Sequence, residues 1–171
     1  VNGPSGRHFL FLPQASGFPI ALLIAVLLTS CSTPPKEAKE VNEMPGSVKL
    51  TKFSQVITSP TKTLAMTANQ EIKLPVTIKN SGSENWYDSG PFPVNISYKW
   101  FKDGKLQPIE GERTRLPQPK IVPGGILNAD IKVVAPPGPG NYNLNVTLVQ
   151  ESVGWFSLSG ADPLVIPATV K

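Results

Sequence analysis

The chain has 171 residues, with 16 basic and 12 acidic side chains for a formal net charge of +4, 19 prolines, 14 glycines, one cysteine and one histidine. A single cysteine excludes an intramolecular disulfide, and basic residues scattered along the chain do not make the stripe expected of a nucleic-acid binder. Proline and glycine recur between apolar runs, which suits short strands and tight turns rather than long helices.

In chain order, the first feature is an uncharged apolar run from Phe18 to Leu28, preceded by Arg7 and His8. Its 11 residues would span about 16 Å as a helix, roughly half of a hydrocarbon core. That is too short to cross a bilayer and fits the apolar segment of a signal peptide. The run ends in Leu28, Thr29, Ser30 and Cys31, which resembles the bacterial lipobox. The resemblance implies that Cys31 receives a diacylglyceryl group, with further acylation of the palmitate type, after which the bond preceding it is cut. Two acyl chains hold a soluble body stably at a membrane, at about 0.8 kcal/mol per buried methylene. Ser32 to Glu40 carries prolines and alternating charges, which keep it non-helical and solvated as a tether. The expected organisation is a signal peptide over 1–30, a lipidated N-terminus and flexible tether over 31–46, and one folded domain over 47–171. Ser32, which is not aspartate, favours the outer membrane by resemblance to enterobacterial sorting, the periplasmic face of the inner membrane being the alternative. Lipid would then be the first partner.

Strand signals begin at Val48 to Lys52, continue through Val56 and Ile57, and return briefly at Thr63 to Met66. Glu71 to Lys79 alternates with period two and places Ile72, Leu74, Val76 and Ile78 on one face. Pro75 removes a ladder donor there, which calls for an edge or a bulge. Asn80 and Gly82 are expected to take positive backbone angles in the following turn. Val94 to Trp100 alternates cleanly, and Asp103-Gly104 after it is the preferred centre of a two-residue hairpin. Further strands are expected over Ile126 to Val134, Tyr142 to Gln150 and Leu164 to Val170. Seven to nine such strands make the signature of an all-β, immunoglobulin-like antiparallel β-sandwich. Trp100 is expected in its core, and Tyr142, opening a strand after a Gly-Pro-Gly turn, as a tyrosine corner.

Several pieces occur in a fixed order: Ile78 to Trp86, Val122 to Gly125, Ala135 to Leu144, and Gly154 to Phe156. Over about residues 64–171 this series resembles bacterial Ig-like domains related to the four-tryptophan type of autophagy receptors. It is also similar to Ig-like modules appended to bacterial envelope and glycan-processing proteins. The chain has three tryptophans, one short of that pattern.

No catalytic or metal-ligating residues are assigned, and no cofactor. His8 and Cys31 both precede the expected domain, which leaves it without imidazole or thiol. Glu110 and Glu112 would share a face if Gly111 is extended, or would pair with Arg113 and Arg115 on a solvated hairpin. Three aromatic pairs are more informative: Trp86-Tyr87, Trp100-Phe101 and Trp155-Phe156. Neighbours in a strand point to opposite faces, so one ring of each pair should be partly exposed unless the pair sits in a curved loop where both pack. Two functions follow as expectations. One is a non-enzymatic, membrane-anchored module contacting other envelope components; the other is a carbohydrate-binding module using Trp86, Tyr87, Trp155 or Phe156 to stack on envelope or extracellular glycan.

Overall fold

The computed structural model describes residues 44–171, and Val41–Lys171 forms one compact unit. The signal segment, Cys31 and most of the tether lie outside the described residues.

Among the described residues the chain forms twelve strands and a single 3₁₀ turn. In order they are β1 (Gln55–Thr58), β2 (Leu64–Met66), β3 (Glu71–Asn80), β4 (Trp86–Tyr87), β5 (Val94–Lys102) and β6 (Lys105–Glu110), followed by β7 (Thr114–Arg115), β8 (Lys120–Ile121), β9 (Ile126–Val134), β10 (Gly140–Gln150), β11 (Gly154–Trp155), the 3₁₀ turn Phe156–Ser159 and β12 (Leu164–Val170). One sheet has the order β1-β3-β9 and the second β2-β12-β10-β5-β6, with β11 added beside β10 and β7 beside β5, while β4 and β8 pair in a separate two-stranded sheet. All pairings are antiparallel except β2 with β12. This is the order of an immunoglobulin-like sandwich.

The alternation seen in the sequence becomes the two faces of each sheet. Leu74, Val76 and Ile78 of β3 meet Val94, Ile96, Tyr98 and Trp100 of β5 and Leu144, Val146 and Leu148 of β10 in one core. Polar bonds lace the layers: Trp100 Nε1 donates to the Val134 carbonyl (2.9 Å), and the Val134 amide donates to the Tyr98 hydroxyl (2.9 Å). Trp100 stands edge-to-face between Tyr98 and Tyr142, at centroid distances of 6.3 and 6.0 Å. The Tyr142 hydroxyl donates to the Gly138 carbonyl at 3.0 Å, which makes the expected tyrosine corner. Asp103 (φ 50°) and Gly104 (φ 74°) close the β5–β6 hairpin in the left-handed region that Asp-Gly favours.

Pro75 sits opposite Asp130 in the middle strand of its sheet, beyond the last residue that β1 pairs. Its carbonyl takes the Ser59 hydroxyl at 2.7 Å. The missing donor therefore faces a local edge, as expected.

Two local expectations fail for the same reason, a side chain replacing backbone partners. Val48 to Lys52 forms no strand. Gln150 accepts from the Leu50 amide (2.9 Å) and donates to the Val48 carbonyl (3.0 Å), while Glu84 accepts from the amides of Thr51 and Lys52. Asn80 and Gly82 do not have positive φ. Asn80 is buried at the end of β3, its amide donating to the carbonyls of Glu84 (2.8 Å) and Ile121 (3.1 Å) and accepting from the Gly82 amide (3.0 Å). It organises the loop through its side chain.

Candidate interaction face

The inward residues of β5, β10 and β12 fix which residues point outward. Strand register then aligns two rows across the sheet. Leu106, Phe101, Asn143 and Pro167 form one, and Glu110, Lys99, Asn145 and Val165 form the next. Leu106 and Val165 are 52% and 49% exposed. Asn141 lies beside Thr169, whose hydroxyl bonds it at 3.1 Å. A cleft of about 360 Å³ opens over Phe101, Asn141, Asn143, Pro167 and Thr169, with the Asp103-Gly104 turn at its rim.

Trp155 borders this face at one end. Val149, its register partner on β10, is buried. Lys99 Nζ lies 3.8 Å from the Trp155 ring centroid and the Arg113 guanidinium carbon 4.6 Å from it. Such cation–π contacts are favoured where the cation is partly desolvated. Burial lowers the Lys99 pKa from its ordinary value, Glu110 acting in the opposite sense. Arg113 is fully engaged: it donates to Glu110 (2.8 Å), Glu151 (3.0 Å), the Gly111 carbonyl (3.1 Å) and the Ser97 hydroxyl (3.4 Å). That bond and charge hold the Glu110 carboxyl below its usual range. Gly111 is buried because its backbone runs against Tyr98; a Cβ there would overlap the Tyr98 carbonyl oxygen. Two cations and two carboxylates cancel, so this end of the face carries no net charge.

The four candidate aromatics separate. Trp86 is 1% exposed and Phe156 0%, and their rings meet edge-to-face at 5.5 Å, with Phe53 against Phe156 at 4.9 Å. Both are core residues with no ring face left for a ligand, which removes them from the candidate set. Tyr87 and Trp155 are half-buried. Tyr87 opens onto a separate cleft of about 220 Å³ lined also by Glu84, Phe92 and Gln150, with Lys120 over its ring at 5.8 Å. Each aromatic pair thus has one ring inside and one partly outside, since Phe101 is half-buried beside buried Trp100. Phe101 was named from the sequence only as one ring of an aromatic pair, and Asn143 and Asn145 were not singled out. The signal available was the alternate-position asparagines of β10, read there only as the polar side of a strand.

The carboxylates Glu110 and Glu112 form no pair. Glu110 bonds Arg113, Glu112 lies 3.2 Å from Lys132, and Arg115 reaches Asp88 at 2.9 Å instead. Among the described residues no cluster of three metal-binding side chains occurs. Cys31, the residue expected to carry lipid, lies outside the described residues.

No family model and no curated protein matches the sequence. Solved structures with a similar arrangement include the CARDB domain of a Pyrococcus furiosus protein, at 15% identity and a TM-score of 0.38, covering 68% of this chain and 92% of that one. A chitin binding domain from Burkholderia pseudomallei is similar at 14% identity and a TM-score of 0.37, over 64% of this chain and 57% of that one. A β-glucosidase from Listeria innocua, in complex with glucose, is similar at 13% identity and a TM-score of 0.37, over 68% of this chain; the chain spans 16% of that enzyme's length.

Proposed function

We propose that the protein is a non-enzymatic binding module, tethered by acylated Cys31 on the extracytoplasmic side of a bacterial membrane, that contacts other envelope components through the outer face of β12-β10-β5-β6. One observation carries the reading of the face. An uninterrupted row, Leu106–Phe101–Asn143–Pro167, crosses four strands with three half-buried or exposed apolar groups, one amide and no charge. Binding surfaces are depleted in charge at their centre and enriched in aromatic residues in this way. The lipobox resemblance at Leu28 to Cys31 supports the anchor, and the absence of histidine and cysteine from 44–171 supports a binding rather than an acid–base role.

Two experiments test the two halves. Metabolic labelling with a fatty acid should label the native chain and not Cys31→Ser; an unlabelled native chain removes the anchor. Residues 41–171, a compact unit with its own core, should sediment with isolated envelopes. Leu106→Asp combined with Val165→Asp should abolish that sedimentation without unfolding the domain.

A further inference from the structure

Asn141, Asn143 and Asn145 occupy alternate positions of β10, facing away from the buried Tyr142, Leu144 and Val146. Side chains two apart on a strand repeat every ~7 Å, so the three amides make a straight rail about 13 Å long. Each has a distinct neighbour in register on the same face: Thr169 beside Asn141, Phe101 beside Asn143, Lys99 beside Asn145. The cleft of about 360 Å³ covers the first two of these positions.

The third position is left incomplete. Asn145 Oδ1 is buried with no hydrogen-bond partner, and an unpaired buried acceptor is destabilising. Beside it, the Lys99 ammonium rests on the Trp155 ring and joins no ion pair or hydrogen bond among the described residues. A cation held only by a ring face, with its register neighbour Glu110 bonded to Arg113 instead, and an acceptor without a donor therefore stand next to each other at the end of a row of amides.

We propose that this rail binds a linear oligosaccharide bearing carboxylates, its hydroxyls on the amides of Asn141, Asn143 and Asn145, one sugar ring on Phe101 and one carboxylate on Lys99. The assignment rests on the proposed contact face and names its ligand class. Amides supply donors and acceptors at a fixed interval, as neighbouring hydroxyls require, and a ring face packs on the C–H side of a sugar. An extended peptide added as a strand is disfavoured on the rail itself because the backbone groups of β10 and β5 are already used by their neighbours; such a strand would add at the outer edge of β6, away from the asparagines. Movement of Lys99 towards a carboxylate uncovers the Trp155 ring and opens the way to Asn145 Oδ1.

The test is a titration of the purified full chain with two linear uronate probes of different linkage, a galacturonate tetramer and a hyaluronan hexasaccharide, and with neutral cellotetraose. The side-chain amide signals of the three asparagines and the tryptophan indole signals are followed by nuclear magnetic resonance. A uronate probe should shift the three amides and the Trp155 indole saturably, leaving the buried Trp86 and Trp100 indoles in place. Lys99→Gln and Phe101→Ala should each weaken binding at least tenfold at unchanged thermal stability. No shift with either uronate, or equal binding of the neutral tetramer and no effect of Lys99→Gln, overturns the assignment. If the uronates fail while envelope sedimentation still depends on Leu106 and Val165, the glycan assignment falls and the contact face stands. If sedimentation ignores both residues, the face itself is wrong.

Discussion

The two sheets of the sandwich share one core and turn very different surfaces outward. The outer side of β3 and β9 carries Glu71, Lys73, Lys79, Asp130 and Lys132 around the exposed apolar residue Ile126, with Lys132 reaching Glu71 at 3.1 Å and Glu112 at 3.2 Å. The outer side of β10, β5, β6 and β12 carries asparagines, Phe101, Leu106, Val165 and Pro167, and its charges are neutralised among themselves around Arg113. Charged side chains on one face keep that face wet and keep its edge strand from pairing with another chain. A face of amides and apolar groups is cheaper to dehydrate, which is what a partner surface needs. The same alternating pattern thus builds a charged wall on one side and, on the other, the wall proposed as the contact face.

The comparison can be broken from the inside outward. Trp100→Ala empties the core between both walls and should cost about 3–5 kcal/mol by denaturant unfolding. Arg113→Ala removes four hydrogen bonds at a side chain 31% exposed. It should cost about 1–3 kcal/mol, the worth of bonds to a charged group after solvent screening, and should free the Trp155 indole, read by fluorescence. Tyr142→Phe removes only the corner bond to Gly138 and should cost about 1 kcal/mol. Leu106→Asp with Val165→Asp, and separately Lys73→Glu on the opposite wall, should each change stability by less than about 0.5 kcal/mol. The first should abolish binding and the second leave it intact.

A smaller effect concerns acid. The folded Glu110 has its pKa lowered, chiefly by the Arg113 bond. Its contribution is present above the ordinary carboxylate range and lost as pH falls through the lowered value. Glu110→Gln should lower stability by a small, pH-independent amount above pH 6 and should flatten the acid limb of the stability–pH curve slightly.

How much of this was legible in the sequence depends on what made each bond. β3, β5, β9, β10 and β12 could be read directly, since period-two alternation reports burial on one face, and Asp103-Gly104 reported its own turn. The tyrosine corner at Tyr142 was legible because it is local, spanning four residues to Gly138. Val48 to Lys52 misled because its alternation is satisfied by Gln150, about a hundred residues away, and Asn80 misled because it acts through its side chain. The aromatic pairs left two readings open, one ring outside or both packed; one ring of each is inside, and only topology says that Trp86 and Phe156 are the ones facing each other. Register across strands made the row from Leu106 to Pro167, and no single stretch of chain contains it.

The most direct test of the account is the envelope sedimentation of residues 41–171 compared across three forms: unaltered, Lys73→Glu, and Leu106→Asp with Val165→Asp. The first two should sediment alike, and the third should stay in solution with its fold intact. Equal sedimentation of all three, or loss with Lys73→Glu alone, would contradict it.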